Sequence, residues 1–262
     1  MKIIQYLFLL FFSLFFSFSA FAAQQNLTIK WNSPQGIKIL QNSQHKNDFY
    51  QLADHFQPQI NPLYCGIATS VIILNSINEN HLPNQKTLQV QKPAVFGSGF
   101  VPFQSYSQLT FLNDKTDKIK DRKIIKLKNI TKDNENDAKN FDPGLKLAEF
   151  KDILSKAYGL KAKFHYADKL NEKSIDKFRQ IAKKTTAEDK KYLAVNFKGK
   201  LLGLKTNGHI SPVAAFDEAS DSVLILDVAG HKNGWFWVKI PDLFKAMHSK
   251  DGDDYRGYLI IR

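Results

Sequence analysis

Apolar side chains recur along this chain with two different spacings, and the spacings distinguish its helices from its strands. Ile67, Val71, Leu74 and Ile77 follow one another at intervals of three or four residues. That spacing places them on one face of a helix, which we expect to be buried and to extend to about residue 79. In the second half of the chain, short apolar runs rich in β-branched and aromatic residues alternate with polar turns. This pattern predicts strands.

The remaining pattern predicts an α+β fold with an antiparallel sheet. The other predicted elements are, in chain order, a strand at 27–31, a helix at 144–159, a strand at 161–166, a helix capped by Ser174, strands at 192–197, 209–216, 223–228 and 235–240, a short helix after Pro241 and a strand at 255–261. We expect residues 24–60 to be irregular outside the first strand and residues 113–143 to form an exposed excursion. Residues 81–112 are expected to form loops around a short helix, with Phe96, Phe100, Phe103 and Phe111 as core candidates. Helices mostly precede strands along the chain, which favours an α+β fold over an alternating α/β fold with a parallel sheet.

The N-terminus has the pattern of a secretory signal peptide. Lys2 precedes an apolar run at residues 3–18, and residues 20–22 (AFA) form a small-residue cleavage site. We therefore predict a signal peptide at 1–22, cleavage near Ala22, and a secreted or periplasmic protein. The alternative is an uncleaved N-terminal helix that anchors the chain to the membrane. No later segment is apolar and long enough to span a bilayer. The length of the remaining chain suits one domain, residues 23–262.

The charge of the chain favours a small anionic ligand over a nucleic acid. The net charge of +12 arises from 37 Lys and Arg against 25 Asp and Glu. Lysine-rich stretches at 115–132 and 183–191 alternate with Asp, Asn and Thr, which is typical of a solvated surface. No motif of a nucleic-acid-binding module accompanies them. We expect no nucleic-acid partner, while a basic surface suits a small acidic substrate.

The chain has a single cysteine, Cys65, at the start of the buried helix. Asn61 and Pro62 are typical of a helix N-cap and first helical position, which places Cys65 in or near the first turn. The free N–H groups and the positive end of the helix dipole favour a thiolate there, the form that attacks carbonyl carbons. Two interpretations remain open, a catalytic nucleophile and an inert buried thiol. With one cysteine, no intramolecular disulfide can form.

A histidine and an aspartate are predicted to meet across a hairpin. His209 begins one predicted strand and Asp227 ends the next, so strand pairing brings them side by side if both face the same way. The carboxylate could then orient the imidazole, and the imidazole could hold Cys65 as a thiolate. The spacing alone is weakly specific, since the chain has six other histidines. The alternative for His209 is an ordinary hydrogen-bonded polar residue on a strand. No metal site is predicted, since the sequence lacks a cysteine cluster and paired histidines at helical spacing.

Three segments together resemble a known family. Residues 64–69 (YCGIAT), 207–212 (NGHISP) and 224–229 (LILDVA) are similar to the phytochelatin synthase catalytic domain, most strongly to its short bacterial form that handles glutathione. The resemblance extends over roughly residues 50–262. It implies a papain-like cysteine protease fold, in which the N-terminal part carries the nucleophile helix and the C-terminal part is an antiparallel sheet.

The resemblance also implies a Cys-His-Asp triad and an oxyanion site. In this chain Cys65 would be the nucleophile, His209 the general base and acid, and Asp227 the residue that orients the imidazole. Gln59 would donate to the oxyanion together with the backbone N–H of Cys65, which agrees with the need for fixed donors where negative charge develops. A loop amide is the alternative role for Gln59, and Gln57 is a nearby competitor.

Arg256 and Tyr64 are candidate substrate-binding residues. Arg256 matches a family arginine near the substrate, where a guanidinium suits a substrate carboxylate. The alternative is a surface charge at the start of a strand. Tyr64 and Trp237 could line the site or could pack in the core.

The activity implied by the resemblance is cleavage of the Cys–Gly bond of glutathione through a γ-Glu-Cys acyl-enzyme. Glycine and γ-Glu-Cys would be released, with transfer to a second glutathione as a route to phytochelatin. No cofactor is expected, while heavy-metal ions remain open as activators or as thiolate complexes of the substrate. Plant-type members carry a cysteine-rich extension that this chain lacks, which puts metal-activated synthesis in doubt. A papain-like peptidase for other peptides and a non-catalytic secreted binding protein are the alternatives, and no oligomeric state is predicted.

Overall fold

The computed structural model describes residues 27–77, 105–122 and 144–262 with their side chains, and the strands at 85–91 and 100–103 as backbone alone. The predicted signal peptide and Phe96, a core candidate, lie outside the described residues, as do residues 123–143 of the predicted excursion. The described helices are α1 (Pro34–Asn42), α2 (Asn47–Asp54), α3 (Cys65–Ile77), α4 (Leu147–Asp152), α5 (Glu172–Ala187) and α6 (Ile240–Met247). A π-helical turn, Ile153–Ala157, continues α4. The described part of the chain contains no helix long and apolar enough to cross a membrane.

Seven strands form one sheet in which every neighbouring pair is antiparallel. The strands of the described residues are β1 (Thr28–Lys30), β2 (Gln85–Gln91), β3 (Phe100–Phe103), β4 (Ala162–Tyr166), β5 (Tyr192–Lys198), β6 (Gly208–Asp217), β7 (Ser222–Ile225), β8 (Phe236–Lys239), β9 (Lys250–Asp251), β10 (Asp254–Tyr255) and β11 (Gly257–Ile261). The sheet order is β1-β8-β7-β6-β5-β11-β4. The predicted α+β fold with an antiparallel sheet is therefore confirmed.

Both faces of the central strands are buried. Successive residues of β5 alternate between two apolar clusters, with Leu193 and Val195 in one and Ala194 in the other. Helix α3 belongs to the cluster on the face of Ala194, while α5 and α6 belong to the cluster on the opposite face. Covering both faces removes the apolar–polar alternation of a half-exposed strand. The central sheet is thus held between helices, and α3 presents its N-terminal end beside the sheet.

Two predictions for the N-terminal half were wrong. The segment predicted to be irregular contains α1 and α2, and the side chain of Ser33 caps α1 by accepting a hydrogen bond from the N–H of Gly36 at 3.1 Å. Ser33 followed by Pro34 is a helix-start signal that the apolar spacing alone did not reveal. Between residues 81 and 112, part of the segment predicted to form loops is the antiparallel pair β2–β3, and the residues between these two strands lie outside the described part of the chain. Phe111, predicted as core, is buried.

Element boundaries in the second half agree with the prediction to within a few residues, with two corrections. Asn171, and not Ser174, caps α5, because the Asn171 side chain accepts the Ser174 N–H at 2.9 Å. Strand β7 ends at Ile225, so Asp227 lies in the loop that follows it. The pairing of β6 with β7 is irregular next to this loop, because the register shifts between Val213, which pairs with Ile225, and Ala215.

The close approach of β11 to β4 requires a glycine at position 257. A Cβ on Gly257 would lie 2.0 Å from the carbonyl oxygen of His165, which belongs to the backbone and cannot move aside alone. We expect Gly257→Ala to lower the free energy of unfolding by about 2 kcal/mol or more through overpacking. Denaturant unfolding measures this. Gly230→Ala is the matched control, because nothing lies within 4 Å of its Cβ position; equal losses in both variants would contradict the expectation.

Candidate active site

Helix α3 places the only cysteine at its N-terminal end. The first helical hydrogen bond runs from the N–H of Ala68 to the carbonyl oxygen of Tyr64 at 2.7 Å, so Tyr64 occupies the N-cap position. Asn61 was predicted to be the N-cap; its side chain instead accepts the N–H of Leu63 at 2.9 Å, in a turn just before the helix. Cys65 therefore begins the helix, half-buried. Its position leaves the backbone N–H groups of the first turn available to a negative charge.

The sheet brings His209 against Asp227. His209 is the second residue of β6, and Asp227 follows the end of the neighbouring strand β7. The imidazole Nε2 lies 2.6 Å from Asp227 Oδ1, with both side chains buried. The rings of His209 and Phe197, its cross-strand neighbour in β5, also pack nearly at right angles at a centroid distance of 5.7 Å. Backbone pairing and ring packing thus fix the imidazole from both sides.

The orientation of the imidazole assigns a role to each nitrogen. An ionised carboxylate only accepts hydrogen bonds, so Nε2–H donates to Asp227 and Nδ1 is the nitrogen left for Cys65. Burial lowers the pKa of His209, but the charge and hydrogen bond of Asp227 and the interaction with Cys65 raise it to about 10. The imidazolium form is therefore favoured at neutral pH while the thiolate and the carboxylate are present.

The same interactions act on the thiol. Burial raises the pKa of Cys65, while the hydrogen bond and charge of His209 and the backbone N–H groups of Ile210 and Gly66 lower it, and the lowering effects dominate. A thiolate next to an imidazolium is a strong nucleophile near neutral pH. The arrangement can therefore attack an electrophilic carbon and return a proton to a leaving group.

Asp227 is held by three donors. Besides His209, the N–H of Ala229 donates to Oδ1 at 2.7 Å and Nδ2 of Asn233 donates to Oδ2 at 2.9 Å. Burial raises the pKa of Asp227, but His209, Asn233 and Ala229 together lower it, so the carboxylate stays ionised. Asn233 was not found from the sequence, because no local pattern ties an asparagine in a following loop to this carboxylate.

Gln59 lies in the segment that leads into α3, is not among the residues that line the hollow around Cys65, and has a partly engaged amide. Its backbone N–H donates to the carbonyl oxygen of Val228 at 2.9 Å, which ties this loop to the one that follows Asp227. Side-chain Nε2 donates to the carbonyl oxygen of Asn61 at 2.8 Å, and Oε1 is buried without a partner. An amide nitrogen has two hydrogens, so one N–H remains. The competitor Gln57 accepts a hydrogen bond from Gln108 at 3.2 Å.

Arg256 lines the hollow that contains the thiol. This hollow has a volume of about 200 Å³, and its lining includes Cys65, His209, Leu145, Lys146, Asp251 and Arg256. The guanidinium is buried, with Nη1 donating to Asn196 at 2.8 Å and Nη2 lying 3.1 Å from Asp251. Arg256 is therefore not a surface charge. The hollow contains fixed charges of both signs, and Asp251, Lys146 and Asn196 were not singled out from the sequence.

The two aromatic candidates are placed differently. Trp237 is fully buried, and its indole N–H donates to the carbonyl oxygen of Gly36 at 3.1 Å, so it is a core residue. Tyr64 is half-buried against the α3 side of the core and is not among the residues that line the thiol hollow. Burial raises the pKa of its phenol. Within the described ranges, no group of three or more His, Cys, Asp or Glu is arranged to hold a metal ion.

The lowered pKa of Cys65 predicts fast alkylation below the pH at which ordinary thiols react. Removing the imidazole by His209→Gln should raise that pKa and slow the reaction with iodoacetamide by about tenfold or more at pH 6. The rate as a function of pH measures the effect, with Cys65 in the denatured protein as the reference. If the native and denatured profiles coincide, the thiol is an ordinary buried cysteine.

Three curated proteins show extended similarity to this chain. The glutathione gamma-glutamylcysteinyltransferase of Schizosaccharomyces pombe is 27% identical over 227 residues, which are 86% of this chain and 45% of that protein. Glutathione gamma-glutamylcysteinyltransferase 3 of Lotus japonicus is 26% identical over 238 residues, 89% of this chain and 42% of its own length. Glutathione gamma-glutamylcysteinyltransferase 1 of Arabidopsis thaliana is 24% identical over 238 residues, 89% and 41% respectively.

The chain thus spans less than half the length of the curated relatives that it matches. The sequence model of the family described as phytochelatin synthase matches residues 22–258, which is most of the chain. The match includes the nucleophile helix, the His209 strand and the Asp227 loop. The resemblance inferred from the sequence motifs is confirmed, and the chain belongs to the phytochelatin synthase family.

Proposed function

We propose that this protein transfers the γ-glutamylcysteinyl group of glutathione through a thioester on Cys65, with release of glycine. The observation that carries this proposal is the 2.6 Å contact of His209 with Asp227 next to a thiol whose pKa is lowered. Curated relatives named glutathione gamma-glutamylcysteinyltransferases support the substrate. A nucleophile at the start of a buried helix, beside a histidine on an antiparallel sheet, also supports the papain-like assignment.

In the first step, the Cys65 thiolate attacks the carbonyl carbon of the Cys–Gly peptide bond. A C–S bond forms and the carbonyl electron pair moves to the oxygen. As the tetrahedral intermediate collapses, the C–N bond breaks and the His209 imidazolium gives its Nδ1 proton to the departing nitrogen. Glycine leaves as the free amine, and γ-Glu-Cys remains as a thioester on Cys65.

In the second step, neutral His209 takes a proton at Nδ1 from the incoming nucleophile. Water attack on the thioester breaks the C–S bond and releases γ-Glu-Cys, with the thiolate and imidazolium restored. Attack by the amine of a second glutathione instead gives a peptide with two γ-Glu-Cys units, the shortest phytochelatin. The balance between the two routes depends on how well the site holds a second anionic peptide.

The negative oxygen of the tetrahedral intermediate needs fixed donors. We assign this role to the backbone N–H of Cys65, at the free end of α3, and to the second N–H of Gln59, the one that Asn61 does not use. The bond from Gln59 to Asn61 fixes the amide plane before substrate arrives. Preorganised donors of this kind cost no reorganisation during the reaction, which is the source of their catalytic effect.

The thiol hollow suits a γ-glutamyl group because this group is a zwitterion. Its carboxylate would face Arg256 or Lys146, and its ammonium group would face Asp251, all of which line the hollow with Cys65. Arg256 is held by Asn196 and Asp251, so its orientation does not depend on substrate. Tyr64 remains a candidate wall of the site at the N-cap of α3.

We also propose that the protein acts after export. The basic, apolar and small-residue pattern of residues 1–22 supports cleavage near Ala22 and a secreted or periplasmic enzyme with one domain, residues 23–262. Anchoring by an uncleaved N-terminal helix is the alternative. Comparing the N-terminal residue of the exported protein with Ala23 by mass spectrometry distinguishes the two, since an anchored chain retains Met1.

Glutathione cleavage tests the proposal directly. We expect glycine and γ-Glu-Cys to appear from glutathione with the native protein. Cys65→Ser should abolish release because the hydroxyl is a far weaker nucleophile, and Asp227→Asn should lower kcat by about 10²–10⁴-fold because the imidazole tautomer is no longer held. Quantifying glycine and resolving the peptides by mass measure the outcome, and any longer peptide reports transfer to a second glutathione.

Folding and thiol reactivity are the controls for this experiment. Thermal unfolding should show both variants folded, and iodoacetamide should label Cys65 in Asp227→Asn. Glycine release that survives Cys65→Ser would refute the mechanism. If Cys65 is reactive but glutathione is not cleaved, the result would indicate that the substrate is another peptide.

Arg256 has its own kinetic signature. Arg256→Gln keeps a hydrogen-bonding side chain but removes the charge, so we expect KM for glutathione to rise about tenfold with a smaller change in kcat. Arg179→Gln is the matched control, because Arg179 also pairs with a carboxylate, Asp221, but on the far side of the sheet from α3. Equal KM values for the two variants would remove Arg256 from substrate binding.

A further inference from the structure

The loop that follows Asp227 folds back so that Asn233 reaches the triad carboxylate. The N–H groups of Lys232 and Asn233 both donate to the carbonyl oxygen of Ala229, at 2.8 and 3.2 Å, which closes a tight turn. Gly234 then adopts a positive φ of 71°, which lets the chain leave the turn. The next residue, Trp235, packs against the aromatic rings of Trp31 and Phe56, each at a centroid distance of 4.9 Å. The turn is therefore anchored at both ends.

The amide of Asn233 connects two segments of the chain. Its Nδ2 donates to Asp227 Oδ2 at 2.9 Å and to the hydroxyl of Thr206 at 3.3 Å. Its Oδ1 accepts the backbone N–H of Lys205 at 3.0 Å. Residues 205–206 lead directly into β6 and His209. One side chain thus contacts both the carboxylate and the segment that delivers the imidazole.

We propose that Asn233 is a positioning residue of the triad, which sets the distance and charge state of the Asp227–His209 pair by holding Asp227 and the 205–206 segment together. The expected effect on glycine release rests on the proposed function, whereas the hydrogen bonds of Asn233 do not depend on it. Asp227 Oδ1 is already occupied by His209 and Ala229. Asn233 is the donor on Oδ2 that keeps the carboxylate plane from turning away from the imidazole.

A hydrogen bond to a charged group contributes more than one between neutral groups, and losing it leaves a buried charge less well satisfied. Without Asn233, the carboxylate would hold a proton more easily and the imidazolium–thiolate pair would be weaker. A role limited to loop stability would lower the unfolding temperature without moving the pH at which Cys65 ionises. The two roles therefore differ in a measurable way.

Two variants test the proposal. Asn233→Leu keeps the approximate size of the side chain and removes its three hydrogen bonds, while the backbone bond to Ala229 remains. We expect the acid limb of Cys65 alkylation by iodoacetamide to move up by about one pH unit, and kcat for glycine release to fall about tenfold or more with KM changed less than about twofold. Asn171→Ala is the control, because it removes an asparagine hydrogen bond of the same length at the exposed start of α5.

The second variant, Asn233→Asp, has a distinctive pH profile. The new carboxyl can still accept from Lys205, but it can donate to Asp227 only when protonated. We expect kcat relative to the native protein to fall as pH rises, because two ionised carboxylates at this distance repel each other. This variant decides the question if Asn233→Leu does not fold.

Alkylation needs no substrate, so the proposal can fail separately from the proposed function. Native protein that alkylates at low pH but releases no glycine would refute the glutathione assignment, and the shift in Asn233→Leu would still support the positioning role. An alkylation profile of Asn233→Leu that matches Asn171→Ala would overturn it. A uniform loss of kcat across pH in Asn233→Asp would also overturn it.

Discussion

The buried bond between His209 and Asp227 is the interaction on which the site depends. Two ionised groups inside a protein are costly to desolvate, and their attraction compensates only when the remaining hydrogen-bonding capacity is satisfied. Here the Ala229 N–H and the Asn233 amide donate the remaining hydrogen bonds to the Asp227 carboxylate. The rest of the architecture serves this contact, because the sheet fixes the imidazole, the loop after β7 fixes the carboxylate, and α3 brings the thiol to the free nitrogen.

The thiol hollow combines this pair with a second polar network. Arg256, Asn196 and Asp251 bond to one another in the same hollow as Cys65, on strands β5 and β9 and at the start of β11. A hollow lined by fixed charges of both signs discriminates by charge pattern, since an apolar ligand would displace water from these charges without replacing its hydrogen bonds. Asn196 and His209 lie on the neighbouring central strands β5 and β6, so the recognising and the reactive halves of the site share part of one support.

The sequence predicted the parts of the site that follow from repeating patterns. Apolar spacing identified the Cys65 helix, and the hairpin that brings His209 to Asp227 followed from two apolar runs and a turn. Helices α1 and α2 escaped prediction because each is short and only half-buried, so their apolar spacing is incomplete. Asn233 and Asp251 escaped for another reason: their contacts depend on how loops close between distant strands, and no local residue pattern records that closure.

Strand β6 lies in the middle of the sheet, between β5 and β7, and both of its faces are covered. Amide hydrogens in such a strand exchange with solvent mainly when the whole domain opens, because no smaller opening exposes them. His209, which moves protons in the proposed reaction, thus lies on a strand whose amide hydrogens we expect to be well protected from exchange. We therefore expect His209 to keep its position in the fold at temperatures at which a peripheral helix such as α1 already frays.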